Sequence, residues 1–73
     1  MRYTVILERD EDGMLVAHVP ALRGCVSQGK NKREAMKNVK EAIALYVETL
    51  IENGQPVPTE DGREFVELTV NTR

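Results

Sequence analysis

One stretch constrains this chain more than any other. Between Asn31 and Gly54 the residues Ala35, Val39, Ala42, Ile43, Tyr46 and Leu50 recur at intervals of three and four. That spacing lays one apolar stripe along an α-helix of about five turns or more. Asn31 is a good N-cap, and Glu34, three residues later, can reach back to its amide as in a capping box. Gly54 stands where a left-handed C-cap belongs, and Pro56 and Pro58 prevent continuation. The spacing predicts a helix over Lys32 to Asn53. A single amphipathic helix in a chain of 73 residues must bury its stripe against something other than helices.

The flanking residues supply strands. Arg2 to Glu8 is β-rich, with Thr4 and Glu8 among Tyr3, Val5, Ile6 and Leu7. Asp12-Gly13 follows, a strong hairpin-turn signal. Met14 to Val19 reads as the returning strand, stopped by Pro20, which cannot donate to a ladder. Ala21 to Gly24 makes a second connection, and Cys25 to Gln28 forms a short third strand ending at Gly29. After the helix, Gln55 to Arg63 is a polar connection, and Phe65 to Val70 alternates as a final strand. The order is βββαβ, an α+β fold with one helix on one face of a four-stranded sheet. A right-handed crossover places the last strand beside the first, in spatial order 3-2-1-4. The most apolar parity sets Tyr3, Val5, Leu7, Leu15, Ala17, Val19, Val66, Leu68 and Val70 against the helix. The opposite parity leaves Ile6, Met14, Val16 and Phe65 on a bare sheet face, which predicts a homodimer or larger assembly.

Composition closes off whole classes. Apolar residues at 41% and charged residues at 30% are a globular balance, and the length fits one domain over 1–73. No apolar run approaches the ~18 residues of a bilayer span, and the N-terminus lacks a signal-peptide core. A cytoplasmic location is the expectation. One cysteine, Cys25, excludes an intramolecular disulfide, and one histidine, His18, excludes a Cys/His zinc cage. With neither staple available to so small a core, self-association is the remaining source of stability.

The net charge of −2 hides an asymmetry. From Lys30 to Lys40, five basic residues (Lys30, Lys32, Arg33, Lys37, Lys40) stand against Glu34 alone. From Glu41 to Glu67, seven acids stand against Arg63. Arg33, Lys37 and Lys40, spaced four and three apart, project from one side of the helix. That stripe is either a solvated face or a docking surface for an acidic partner.

No catalytic set can be assembled from these residues. Ser27, Cys25 and His18 lie in or beside the second and third strands, but the alternation gives His18 no carboxylate to orient it. Two-metal hydrolysis needs acids projecting from strand centres. Here Asp10, Glu11, Asp12 and Asp61 occupy turns, while Glu8 and Glu67 approach each other only if the outer strands pair. Gly13, Gly24 and Gly29 belong to separate turns, so no phosphate loop feeds the helix. No enzyme activity, no metal and no cofactor are expected. An acidic chain with three aromatic residues and one short basic stripe is a poor nucleic-acid binder.

The passage Val19-Pro20-Ala21-Leu22-Arg23-Gly24-Cys25-Val26-Ser27-Gln28-Gly29, followed by Glu34-Ala35 opening a helix, resembles the HicB-like antitoxin family. The preceding hairpin, Ala42 and Tyr46 in the helix, and the later Gly54 and Pro56-Val57-Pro58 fit as well. The resemblance runs from about Tyr3 to Val70. It implies a partial RNase H-like βββαβ fold without the nuclease acids. It also implies a module that binds and neutralises a small basic HicA-type RNA-cleaving toxin and often dimerises. Ala21 and Lys30 stand where the family commonly has acidic residues, and Asn31 where it often has threonine. Many members continue into a ribbon-helix-helix or helix-turn-helix domain. This chain stops at Arg73, so operator binding by it alone is not expected.

For a basic toxin, the candidate contact residues are Glu48, Glu52, Glu60, Asp61 and Glu64, which look exposed. The alternative reading is a small RNA-binding or nuclease-accessory protein that uses Arg33, Lys37 and Lys40. A third reading is an orphan domain that has lost its toxin.

Overall fold

A computed structural model describes residues 1–72. Three strands, β1 (Ile6–Arg9), β2 (Leu15–His18) and β3 (Val26–Gly29), precede one helix, α1 (Lys32–Glu52). Among the described residues the sheet is a three-stranded antiparallel meander in the order β1-β2-β3. Its register aligns Leu7 with Ala17 and Ser27 on one face, and Ile6 with His18 and Val26 on the other.

Short-range polar contacts fix the first hairpin. The Asp10 carboxylate accepts from the amides of Asp12 and Met14, both at 2.9 Å, while the Asp10 amide donates to the Met14 carbonyl at 2.8 Å. An aspartate that satisfies the turn's own amides holds it without help from the rest of the fold.

The helix begins and ends where its signals lie. The Asn31 side chain accepts from the Glu34 amide at 2.9 Å. Glu34 reaches back one residue further than a simple capping box, to the Lys30 amide at 3.1 Å. At the other end the Gly54 amide donates to the Ile51 carbonyl and the Gln55 amide to that of Leu50. This is the Schellman pair, and Gly54 supplies the positive φ of 68° that it requires. Asn53, expected as the last helical residue, is the C-cap.

The core is one cluster: Ala17, Val19, Leu22, Cys25, Ala35 and Val39, flanked by Tyr3, Val5, Leu7 and Leu15 and by the helix stripe. The strand parity holds for the first two strands. The residues after Pro20 do more than connect. Ala21 and Leu22 are buried, and amide-to-carbonyl bonds from Leu22 to Val19, Cys25 to Leu22 and Val19 to Cys25 fold the segment into a tight plug. The Tyr46 hydroxyl donates to the Arg23 carbonyl at 2.8 Å and pins that plug to the helix.

α1 packs over β3 and β2 rather than over β1. Gly29 sets how close it comes. A Cβ built there would sit 2.4 Å from the Ala35 amide nitrogen, 2.8 Å from the Glu34 carbonyl carbon and 2.9 Å from the Ala35 Cα. The Asn38 side-chain amide donates across the same junction to the Gln28 carbonyl at 2.8 Å.

Among the described residues the expected fourth strand is not formed, so of the order 3-2-1-4 only the 3-2-1 part is present. Phe65 to Val70 lies outside the sheet, and Val66, Leu68 and Val70 are exposed instead of facing the helix. The cause is a turn. The Arg63 amide donates to the Glu60 carbonyl at 2.9 Å, and Gly62 adopts a φ of 82°. The chain reverses there, before the alternating residues begin. An alternating pattern records that a segment can pair, not which edge it reaches.

Candidate protein-binding surfaces

The three residues that could have supplied nucleophilic chemistry are separated by the sheet. Cys25 and Ser27 belong to the helix side, where Cys25 is buried and desolvation holds its thiol above the ordinary range. His18 faces the opposite way, aligned with Ile6 and Val26. It does have a carboxylate partner, contrary to the expectation from alternation: its Nε2 lies 3.2 Å from Glu8 Oε1 across β1 and β2. Both side chains are open to solvent, so the pair is a surface contact rather than an activated base. Glu67 lies on the exposed C-terminal segment, away from any strand pair with Glu8. Among the described residues no cluster of histidine, cysteine and acidic side chains could hold a metal ion. Nor is any helix among them long and apolar enough to cross a membrane.

The bare sheet face carries Ile6, Val16, His18 and Val26 in adjacent register, with Met14 at its end. Ile6 and Val26 are exposed, and Met14 and Val16 are half-buried. Phe65, expected on this face as part of a fourth strand, is exposed on the segment beyond the turn.

The five candidate acids divide between two places. Glu48 and Glu52 are exposed on the last turns of α1, four residues apart and therefore on one side. Asp61 and Glu64 are exposed in and after the turn that follows the helix connection. Glu60 is different. It is half-buried, and its carboxylate accepts from both the backbone amide and the hydroxyl of Thr4, the latter at 2.8 Å. Beside it the Tyr3 hydroxyl donates to the Pro58 carbonyl at 2.6 Å.

These contacts clasp residues 58–60 to the entry of β1. Burial, and secondarily the Glu60 charge, raises the Tyr3 phenol above its ordinary value. The neutral hydroxyl is thus the form that folding favours, and its contribution is lost only as pH rises past the ordinary phenol range. Glu60 was expected as a contact acid, and no local pattern discloses its structural role, because its partner lies 56 residues away. Because Glu60 holds the fold, Glu60→Ala is expected to destabilise the chain by roughly 1–3 kcal/mol, leaving a half-buried amide unpaired. Chemical denaturation of the single variant checks this; a change below ~0.5 kcal/mol, the scale of ordinary surface substitutions, overturns the clasp.

The basic stripe is exposed, as one of its readings held, but it also rims a groove. Because α1 stands over β3 and β2, an open channel of about 560 Å³ runs between the helix and the N-terminal residues that lead into β1. Tyr3, Val5, Met36, Val39 and Ile43 form its apolar floor, and Arg33, Lys37 and Lys40 line it. A second, smaller groove of about 360 Å³ lies on the β3 side between Cys25, Val26 and the helix residues Ala42, Leu45, Tyr46 and Leu50. Exposed Leu45 and Ile51 make the C-terminal half of the helix apolar beyond its core stripe.

The chain is thus a small α+β module with acids at the end of its helix and a cationic groove beside it. Comparison with known proteins is consistent with that class. The family model described as the HicB-like antitoxin of bacterial toxin–antitoxin systems matches residues 3–69. The chain belongs to that family. A UPF0150 protein of Thermoplasma acidophilum is 50% identical over 65 residues, covering 89% of this chain and 94% of that protein. One from Synechocystis is 54% identical over 59 residues, covering 81% and 75%. Among solved structures, the N-terminal domain of the Burkholderia pseudomallei antitoxin HicB superposes with a TM-score of 0.64 at 35% identity. That match covers 93% of this chain and 69% of that one.

Proposed function

We propose that this chain neutralises a small basic HicA-type RNA-cleaving toxin in the cytoplasm by binding it, with no catalytic step of its own. The observation that carries this reading is the match to the HicB-like antitoxin family over residues 3–69. The acids support it. Glu48, Glu52, Asp61 and Glu64 are exposed and unburdened by the fold, so they are free to steer a cationic partner. Glu60 shares their charge but spends its carboxylate on Thr4. The separation of His18 from Cys25 and Ser27 by the sheet supports occlusion over chemistry.

Co-expression with a HicA-type toxin-like reading frame beside this chain's gene tests the proposal, and the absence of any such frame overturns it. Growth is expected to recover, and toxicity that persists despite folded antitoxin overturns it. Reversing Glu48, Glu52, Asp61 and Glu64 to lysine is expected to slow association about tenfold or more at low salt and flatten its salt dependence. Stopped-flow or surface-based kinetics read that change, with Glu60 left in place so that the fold is not disturbed.

The RNA-binding alternative retains one specific observation in its favour, the cationic lining of the groove beside β1. If the chain binds RNA, and neutralising Arg33, Lys37 and Lys40 abolishes that binding while toxin relief is absent, the alternative replaces the antitoxin reading. Self-association belongs to the proposal as well. The bare sheet face around Ile6, Met14 and Val16 and the exposed Phe65 are more apolar surface than a monomer of this size usually leaves open.

A further inference from the structure

The residues from Phe65 to Val70 alternate as a strand does, yet they stand in solvent, with Val66 at 73% and Leu68 at 83% exposure. Val66, Leu68 and Val70 share one face of the extended segment, and Glu64 begins that same face. The groove beside β1 presents the complementary surface. Its floor includes Tyr3, Val5 and Ile43, and Arg33, Lys37 and Lys40 line its cationic side. β1 is also an edge strand, pairing only with β2 among the described residues, so its outer backbone groups are open to a further strand.

We propose that this groove is filled by the C-terminal segment of a second copy of the chain, laid beside β1 as an added strand, in reciprocal exchange. The segment does not line the groove of its own chain. Tyr3 and Thr4 hold residues 58–60 at the entry of β1, and the turn from Glu60 to Arg63 then directs the segment away, leaving it exposed. Exchange about a two-fold axis inserts both segments at once, so both apolar faces and both grooves are covered by one operation. Strand addition of this kind draws its register from main-chain pairing and its specificity from the alternate side chains. Here those are Val66, Leu68 and Val70 toward the floor and Glu64 toward the cations. The inference rests on the self-association reading and is independent of the toxin.

The full-length chain tests it in two ways. Differently tagged copies carrying Leu68→Cys and Met36→Cys, mixed under mild oxidation, are expected to form a mixed disulfide of twice the 8.2 kDa chain mass. Leu68→Lys is expected to raise the dimer dissociation constant at least about tenfold. The helical signal should stay unchanged, because Leu68 is exposed on its own chain. If a chain carrying both Leu68→Cys and Met36→Cys closes its disulfide only within itself at high dilution, the segment folds back on its own groove and exchange is overturned. If Leu68→Lys leaves the dimer intact, exchange falls while self-association stands. A native chain that sediments only at 8.2 kDa overturns both.

Discussion

Leu22→Ala is expected to cost roughly 2–5 kcal/mol, the range for truncating a fully buried leucine. Leu22 has no solvent exposure and sits in the plug between β2 and β3, against Val19, Cys25 and Val39. The plug is held by its own backbone bonds and by Tyr46 above it, so it cannot simply collapse into the space that truncation leaves. In a chain of this length a single core rarely supplies more than ~3–5 kcal/mol in total. The variant should therefore be mostly unfolded at room temperature, with the helical circular dichroism signal lost or its urea midpoint close to zero. A cost under ~0.5 kcal/mol, the surface range, would mean that Leu22 is not core.

Gly29→Ala is expected to destabilise by about 1–3 kcal/mol or more, although it adds a single methyl group. Overpacking normally finds relief in a side chain that turns aside. Here the atoms in the way are the Glu34–Ala35 backbone, the nearest at 2.4 Å, so the helix itself must shift. That shift strains the Asn38-to-Gln28 contact and the first-turn cap, whose partners straddle the same junction. Gly29→Ser should do at least as much harm, since its Cβ meets the same backbone. Gly13→Ala gives the contrast: nothing lies within 4 Å of its Cβ, and its cost comes only from a positive φ. Thermal melts of the three variants separate steric from conformational cost. Equal losses at Gly29 and Gly13 would remove the case for a close helix–strand approach.

Position in the fold, not charge alone, sets what each ionic side chain can do. The acids on one stretch of sequence look interchangeable by composition, yet Glu60 is committed to Thr4 while Asp61 and Glu64 remain free. A reversal that included Glu60 would report on folding and binding together. The cations divide in the same way by position rather than type. Arg33, Lys37 and Lys40 line the groove beside β1, whereas the bonds around Lys30 tie the helix cap through its backbone.

Some of this structure was written locally and was legible as such. The helix over Lys32–Glu52 follows from a stripe of period 3.6 bounded by Asn31 and Gly54, all within one continuous segment. The first hairpin follows from Asp10 and Gly13, whose bonds close within five residues. The faces of β1 and β2 follow from alternation, because a one-residue slip would put every apolar side chain into water. The remaining features depend on contacts between distant residues, and no local pattern carries those. Leu22 is buried because a folded loop turns it inward, Gly29 matters because a helix passes over it, and Glu60 is structural because Thr4 is beside it. The same reason accounts for the strand that was expected and did not form: Phe65 to Val70 has the alternation of a strand, but the clasp and the turn before it set where the segment goes. Sequence alone determined which segments could be helix or strand; tertiary contacts decided which of them meet, because pairing energy is gained between segments and not within them.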